Sequence, residues 1–131
     1  MLRSDATPSD GLAFLFQIFD AKPHRGKQFQ FRAAVRFEAA DTPGAARLLV
    51  RVHRLNGSSC FFDNMSDRPI KSGAWTFYEI SGKVCEEARD VELGMQLVGG
   101  GFARIDNIAI TFTDPISTVP RKIVTIVSTK R

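Results

Sequence analysis

The sequence contains very little tryptophan or tyrosine: one of each in 131 residues, against eleven phenylalanines. Surfaces that bind sugars by stacking rely mainly on tryptophan and tyrosine, whereas phenylalanine has no polar group and usually fills cores. One Trp and one Tyr cannot form a platform of three rings. The composition therefore disfavours an extended aromatic platform and favours an interior packed with phenylalanine.

Long apolar segments are also missing. No stretch approaches the roughly 18 apolar residues of a membrane span, and the opening MLRSDATPSD has no hydrophobic signal core. We therefore expect a cytoplasmic protein with no membrane partner. The two cysteines, Cys60 and Cys85, are too few for a disulfide framework or a zinc site, so we expect a pair of reduced, half-buried thiols.

The sequence lacks the usual catalytic signatures. It contains neither G-x-S-x-G nor H-E-x-x-H, and its two histidines, His24 and His53, lie far apart. The run GGG at 99–101 precedes a predicted strand rather than a helix, so it is not a phosphate cradle. No two carboxylates stand out as a glycosidase pair. We predict that the protein is not an enzyme and uses no cofactor.

The net charge of +4 is confined to one end of the chain. Residues 1–114 carry fourteen basic and fourteen acidic side chains, and the excess comes from Arg121, Lys122, Lys130 and Arg131. A nucleic-acid-binding domain would carry its positive charge on one face of the folded body. The pattern predicts no nucleic-acid partner and a solvated basic tail.

Alternation of apolar and polar residues dominates the chain, whose length is that of one domain. In QFQFRAAVRFEA, the residues Phe29, Phe31 and Val35 fall on one face, and RLLVRVHRL places Leu48 and Val52 in the same way. Such segments are half-buried antiparallel strands. Similar segments separated by turn residues, without a convincing helix, predict an all-β sandwich; they are FLFQIFDA, CFFDNM, WTFYEISGKV, VELGMQLVG and FARIDNIAITFT.

The C-terminal segment KIVTIVST has apolar residues on both faces. A solitary exposed strand of this kind invites pairing. We therefore divide the chain into a β-sandwich over 1–114 and a C-terminal extension over 115–131. The strand of the extension is expected to dock on its own sheet or to be exchanged with a second subunit, which would make a homodimer.

The run FDNMSDRPIKSGAWTFYEI, together with KVCEEARDVELGMQLVGGGFARIDNIAITF, resembles a galactose-binding-like jelly-roll domain, similar to carbohydrate-binding modules. This domain is found in uncharacterised bacterial proteins and beside some transcriptional regulator sequences. The resemblance covers about residues 12–114, with mild departures at Ser72 and Cys85. Members usually have an additional opening strand, and KIVTIVST is expected to fill that edge. The matching positions are Arg25–Lys27, Phe62–Met65, Arg68–Lys71, Trp75, Tyr78, Val84, Ala88, Gly99–Gly101 and Ile105–Ile108.

The resemblance implies a jelly-roll β-sandwich of two antiparallel sheets with about eight strands. In many galactose-binding-like domains an acidic residue at the position of Asp106 helps to hold a structural calcium ion. Calcium needs six or more oxygen ligands, and the partners common in those domains are absent from this sequence. We therefore predict no metal site.

Several polar and aromatic residues are candidates for ligand binding. Asp63 and Asn64 can bind a sugar hydroxyl or, as Asx residues often do, shape their own turn. Arg68 can hold an anion or pair with Asp63 or Asp67. Trp75 can stack on a sugar ring or plug the end of the sandwich, and the plug is favoured.

A second group of candidates consists of polar residues in the middle of strands, namely Gln17, Arg51, His53 and Gln96. On adjacent strands of a jelly roll they would line one concave face, although an ordinary solvent-facing sheet also needs polar residues. The ligand-binding residues predicted from the sequence are Gln17, Arg51, His53, Asp63, Asn64 and Trp75.

The sequence therefore predicts a non-catalytic binding domain for a carbohydrate or other small polar ligand on the concave sheet face. The alternative is a structural or protein-interaction module without a small ligand, which dimerises through its C-terminal strand.

Overall fold

The computed structural model describes residues 3–4, 12–114 and 124–128, with side chains described over 14–114. These residues form nine β-strands and, between the second and third strands, a single 3-10 turn at Lys22–His24. The strands are β1 (Arg3–Ser4), β2 (Leu12–Asp20), β3 (Gln28–Glu38), β4 (Gly44–Arg54), β5 (Ser59–Asp63), β6 (Thr76–Lys83), β7 (Ala88–Gly99), β8 (Phe102–Thr113) and β9 (Val124–Ser128).

The strands form two antiparallel sheets. The first sheet has the order β1-β2-β7-β4-β5 and the second has the order β6-β3-β8-β9. From β2 to β8 every connection except the β4–β5 hairpin crosses from one sheet to the other. This arrangement confirms the predicted jelly-roll β-sandwich.

The inner faces of the two sheets enclose the predicted phenylalanine-rich core. Phe29, Phe31 and Val35 of β3 are at most 3% exposed, and Leu48 and Val52 of β4 are fully buried. Burying one such side chain contributes roughly 1.5–3 kcal/mol. The alternation in the sequence therefore correctly identified the inner faces of these two strands.

The three consecutive glycines at the end of β7, Gly99–Gly101, form a corner between the sheets. They do not close a hairpin, because β7 pairs with β2 and β4 in the first sheet whereas β8 pairs with β3 and β9 in the second. Gly99 and Gly101 adopt φ values of +77° and +100°, which glycine tolerates without steric cost. The conformational freedom of glycine lets the chain pass from the first sheet to the second at this point.

A disulfide joins Cys60 in β5 to Cys85 in the connection between β6 and β7, with Cα atoms 6.5 Å apart. The prediction of two reduced thiols is therefore wrong. The residues are 25 positions apart in sequence, and only the fold brings them within bonding distance. The bond ties the edge strand of the first sheet to the end of the second.

Strand β9 pairs with β8 of the same chain, in a register that runs from Ile108 opposite Ser128 to Phe112 opposite Val124. It forms one edge of the second sheet. The division of the chain at residue 114 and the exchange of this strand between subunits stay predictions. No helix within the described residues is long and apolar enough to cross a membrane.

Candidate functional site

A cleft of about 300 Å³ opens on the outer face of the first sheet, and we call it the first-sheet cleft. Side chains of β2, β4, β5 and β7 line it because alternate residues of these strands point away from the core. Its volume is at the lower end of the range for small-molecule sites, about 300–1,000 Å³. The lining residues are Phe14, Phe16, Leu49, Arg51, Phe62, Asn64, Glu92 and Gln96.

Gly94 leaves the middle of the first-sheet cleft free of a side chain. It lies on the same face as Glu92 and Gln96 and is opposite Phe16 on β2 and Leu49 on β4. A Cβ atom at this position would overlap the carbonyl oxygen of Leu15. Close packing of β2 against β7 therefore requires glycine here, and the same glycine keeps the cleft open.

Arg51 projects from β4 and lies over Phe62, with its guanidinium carbon 4.3 Å from the ring centroid. Its Nε atom is buried and has no hydrogen-bond partner among the described residues. The Oε1 atom of Gln96 is in the same state. Buried polar atoms in native proteins nearly always have a partner, in the protein or from solvent or a ligand. These two atoms therefore lack the partner that buried polar atoms usually have.

Glu92 is the register partner of Arg51 on the neighbouring strand. Even so, Glu92 forms no ion pair with any described residue. The cleft thus presents a donor and an acceptor side by side, each free to bond a hydroxyl group. The phenyl rings of Phe14, Phe16 and Phe62 supply the apolar part of the lining.

His53, two residues beyond Arg51 on the same face, is engaged with Asp90. Its Nδ1 atom lies 2.7 Å from Asp90 Oδ1, and Arg89 Nε donates to Oδ2 of the same carboxyl group at 2.8 Å. Partial burial raises the pKa of Asp90, but the hydrogen bonds from Arg89 and His53 outweigh it, and the net pKa lies below the ordinary value. Asp90, which is itself bonded to Arg89, therefore holds His53 just outside the cleft.

Asp63 and Asn64 shape the turn that follows β5. Asp63 Oδ1 accepts a hydrogen bond from the Met65 N–H at 2.8 Å, and Asn64 Oδ1 accepts one from the Ser66 N–H at 3.1 Å. These bonds support Met65 in a left-handed conformation, with φ of +57°. Of the two, Asn64 lines the cleft and Asp63 does not.

Arg68 is paired with both neighbouring carboxylates. Its guanidinium donates to Asp63 at 2.6 Å and to Asp67 at 2.7 Å. The pKa of Arg68 is raised, chiefly by the hydrogen bond to Asp63. Of the two interpretations of Arg68, pairing with Asp63 and Asp67 is the one that the structure contains.

The structure does not place Gln17 with Arg51. Gln17 is the register partner of Leu93, and both point to the inner side of the first sheet, as do the core-packed Leu15 and Phe19. The expectation that Gln17 lines the same face as Arg51 is therefore wrong. The sequence pattern of β2 does not show which face is the inner one. Apolar residues occur on both faces, since Phe14 and Phe16 line the cleft on the outer face.

Trp75 is also separated from Arg51. It precedes β6 in the second sheet and is 45% exposed on the outer face. The favoured interpretation of Trp75 as a plug for the end of the sandwich is therefore wrong. Tyr78 points to the other side of β6 and packs against the core, as the spacing of three residues predicts.

Sequence reasoning missed most of the cleft's lining residues outside β4. Glu92 could have been found, since it is a charged residue in the middle of the apolar strand VELGMQLVG, two residues from Gly94 and four from Gln96. Phe62 shares the apolar pair CFF with Phe61, and only the pairing with β4 shows which ring points outward. No set of three or more His, Cys, Asp or Glu side chains in the described part of the chain is placed to hold a metal ion.

The fold and the cleft define a jelly-roll β-sandwich domain with an aromatic and polar surface site. It is similar to the CBM22-1–GH10 modules of endo-1,4-β-D-xylanase 10B from Clostridium thermocellum, solved with xylohexaose, at a TM-score of 0.55 and 13% identity over 85% of this chain and 24% of that chain. It is also similar to the enzymatically active domain of bacteriophage CBA120 tailspike protein 4, at a TM-score of 0.52 and 13% identity over 89% of this chain and 14% of that one. These similarities show the fold.

In sequence, the chain is similar to the uncharacterized HTH-type transcriptional regulator YbfP of Bacillus subtilis strain 168. The two are 29% identical over 103 residues, which is 78% of this chain and 34% of the regulator. The chain thus spans about a third of the length of that relative. No protein-family model matches the sequence.

Proposed function

We propose that this domain is a non-catalytic carbohydrate-binding domain that holds a saccharide in the first-sheet cleft. The observation that carries the proposal is the combination, in one cleft, of outward-facing phenyl rings with the unpartnered polar atoms of Arg51 and Gln96. Sugars are amphipathic, with apolar C–H faces and a rim of hydroxyl groups. The fold shared with xylanase 10B modules solved with xylohexaose supports the same proposal.

In this proposal the sugar ring packs against Phe16 and Phe62, and its hydroxyl groups bond to the polar side chains. Arg51 donates to a hydroxyl oxygen while Glu92 accepts from a hydroxyl hydrogen, and Gln96 accepts a second one. Charged groups make the stronger hydrogen bonds, each worth about 1.5–3 kcal/mol. Arg51 needs little reorientation because the Phe62 ring already holds its guanidinium.

The lining of the cleft supports binding rather than hydrolysis. Glycoside hydrolysis normally requires two carboxyl groups roughly 5–9.5 Å apart across the bond that is cut. Glu92 is the one carboxyl group among the described lining residues. The nearby Asp90 is held by His53 and Arg89.

The test is affinity gel electrophoresis and isothermal titration calorimetry against soluble xylan, β-glucan and galactan, with reducing-end release measured in parallel. Arg51→Ala should weaken binding about tenfold or more. Glu92→Gln keeps the shape of the side chain and should weaken binding in the same direction. Neither the wild type nor the two variants should release reducing ends from these polysaccharides.

The matched control is Arg47→Ala. Arg47 is on the same strand and face as Arg51 but lies outside the cleft, in a shallow depression beside Pro43 and Lys71, so this variant should bind like the wild type. If no polysaccharide is retarded, or if Arg51→Ala and Glu92→Gln bind like the wild type, the cleft is not the site.

A second candidate function is a structural module that dimerises through its C-terminal strand. One observation favours it: β9 forms an edge of the second sheet, and a strand at a sheet edge has backbone groups free to pair with another chain. Light scattering after gel filtration, with and without residues 115–131, tests this. A monomer for both chains would exclude it, and a dimer that depends on the segment would support it.

A further inference from the structure

A second and separate depression lies on the outer face of the second sheet. One register row crosses it, from Phe77 on β6 through Ala34 on β3 to Asp106 on β8. The Ala34 side chain is short, so the middle of this row is low, and at one end Phe77 stands 45% exposed. The depression has a volume of about 430 Å³, and we call it the Trp75 trough.

One wall of the Trp75 trough is aromatic. Trp75 and Phe77 are two residues apart on the β6 side, both line the trough, and each is 45% exposed. The guanidinium carbon of Arg32 lies 3.7 Å from the centroid of the Phe77 ring and supports it. A large exposed indole is a flat apolar surface with one polar group, which suits a ligand with a flat apolar face and a polar edge.

One end of the trough is lined by two arginines on neighbouring strands. Arg36 on β3 and Arg104 on β8 are direct register partners, and like charges directly opposite across a strand pair are destabilising. Arg36 pairs with Glu38 at 2.9 Å, but its buried Nε has no hydrogen-bond partner among the described residues. Arg104 forms no ion pair with any of them. An anionic group between the two guanidiniums would relieve this repulsion.

The opposite wall carries hydrogen-bonding groups. Asp106 and Asn107 line it from β8, and Asp106 Oδ1 accepts the N–H of Asn107 at 2.8 Å. Asp106 is buried, whereas Asn107 is exposed, and its side-chain amide can donate and accept hydrogen bonds with hydroxyls, which a sugar has in number and a phosphodiester backbone lacks. The wall therefore favours a polyhydroxylated ligand over a nucleic acid.

We propose that the Trp75 trough is a second saccharide site, selective for sugars that carry a carboxylate, that is, uronic acid residues. The ring packs on Trp75, the hydroxyl groups bond to the β8 wall, and the carboxylate lies between Arg36 and Arg104. Arginine binds carboxylates through paired, parallel hydrogen bonds. The proposal does not depend on the function of the first-sheet cleft, because the two sites lie on opposite sheets and share no residue.

The single tryptophan makes the trough directly observable. Trp75 is the one Trp of the chain, and the described lining of the first-sheet cleft contains neither Trp nor Tyr. Titration with oligogalacturonate should therefore change the tryptophan fluorescence in a saturable way. A neutral galactan oligosaccharide of the same length should change it at least tenfold more weakly.

The variants Arg104→Ala and Arg36→Ala should each raise the dissociation constant for oligogalacturonate about tenfold. Arg47→Ala, an arginine on the other sheet, is the matched control and should leave the titration unchanged. Circular dichroism establishes that each variant is folded. If Arg104→Ala is not folded, Arg104→Lys replaces it, since it keeps the charge but loses the paired geometry and should still weaken binding.

Three results would overturn the proposal. The first is that oligogalacturonate changes neither the fluorescence nor the NMR signal of the Trp75 indole N–H. The second is equal affinity in the wild type and the arginine variants, and the third is a response to single-stranded oligonucleotides in place of uronates. A response to both acidic and neutral sugars that the arginine variants do not alter would remove the selectivity for carboxylates.

Discussion

The imidazole ring of His24 lies flat on the phenyl ring of Phe112, with centroids 3.8 Å apart and planes 11° from parallel. Phe19 meets His24 edge-on at 6.1 Å. His24 is 6% exposed, and its Nδ1 atom has no hydrogen-bond partner among the described residues. A histidine ring is therefore packed in the core at one end of the sandwich, where a charged imidazolium would be poorly accommodated.

This packing predicts a loss of stability in weak acid. Burial is the first cause that lowers the pKa of His24 below 6.5, the charge of Lys27 lowers it further, and Asp20 partly opposes them. Well above pH 6.5 His24 is neutral in the folded and unfolded states and carries no penalty. Below that pH the unfolded state takes up the proton first, so the free energy of unfolding falls, by at most about 1.4 kcal/mol at pH 5.5.

Urea denaturation at pH 7.5 and pH 5.5 measures this effect. His24→Phe keeps an aromatic ring against Phe112 and should be less sensitive to the change in pH than the wild type. His53→Gln removes the other histidine and should keep the His24 contribution. A wild type and a His24→Phe variant with the same pH dependence would show that His24 is not responsible.

The disulfide predicts a second loss of stability. Replacing Cys60 and Cys85 together by Ser should lower the free energy of unfolding by about 3.5 kcal/mol, because the bond closes a loop of 25 residues. The wild type in reducing agent should fall to the same value, and peptide mapping under oxidising conditions should recover the linked peptides. Free thiols in the oxidised protein would contradict the prediction. The predicted cytoplasmic location stays a prediction.

The turn after β5 predicts a contrast between two aspartates that bind the same arginine. Asp63 bonds to both the Met65 N–H and Arg68, whereas among the described residues Asp67 bonds to Arg68 alone, and it is 71% exposed. Asp63→Ala should lower the free energy of unfolding by about 1–2 kcal/mol, because it leaves a backbone N–H without a partner. Asp67→Ala should cost less than about 0.5 kcal/mol. Thermal unfolding of the two variants measures this contrast. Equal losses of stability would contradict the different roles assigned to Asp63 and Asp67.

The close approach of β2 to β7 predicts a contrast between two glycines. Gly94→Ala should lower the free energy of unfolding by roughly 1–3 kcal/mol, because the new Cβ overlaps the Leu15 carbonyl and forces the strands apart. In Gly73→Ala the new Cβ would lie 3.6 Å from the Phe37 carbonyl, an ordinary contact, so a change within about 0.5 kcal/mol is expected. Chemical denaturation of both variants tests this, and a Gly94→Ala variant as stable as the wild type would refute it.

The sequence predicted the strands that have one solvent-exposed face and one buried face. In β3 the inner Phe31 and the outer Arg32 differ so clearly that both the strand and its orientation follow from alternation. In β2, apolar residues occur on both faces, since Leu15 packs on the core and Phe16 lines the cleft. Alternation alone therefore could not show that Gln17 points inward.

The site was less predictable than the fold because it depends on which strands become neighbours. Arg51 was found because it is a charged residue in the middle of a strand. Its contact with Phe62 and its position opposite Glu92 arise from the pairing of β4 with β5 and β7. The bond between Cys60 and Cys85 is of the same kind, since distance in sequence carries no information about distance in the fold.

The repeated crossing of the chain from one sheet to the other also bears on how the domain acquires its structure. Neighbouring strands in each sheet are mostly distant in sequence, as with β4 beside β7 and β3 beside β8. The central pairings of both sheets therefore cannot form from a local hairpin, and the cost of closing long loops has to be met before the core forms. β-Sandwiches with such non-local pairing fold in milliseconds to seconds. On a ribosome, β3 would wait for β8 to emerge before its central pairing is made.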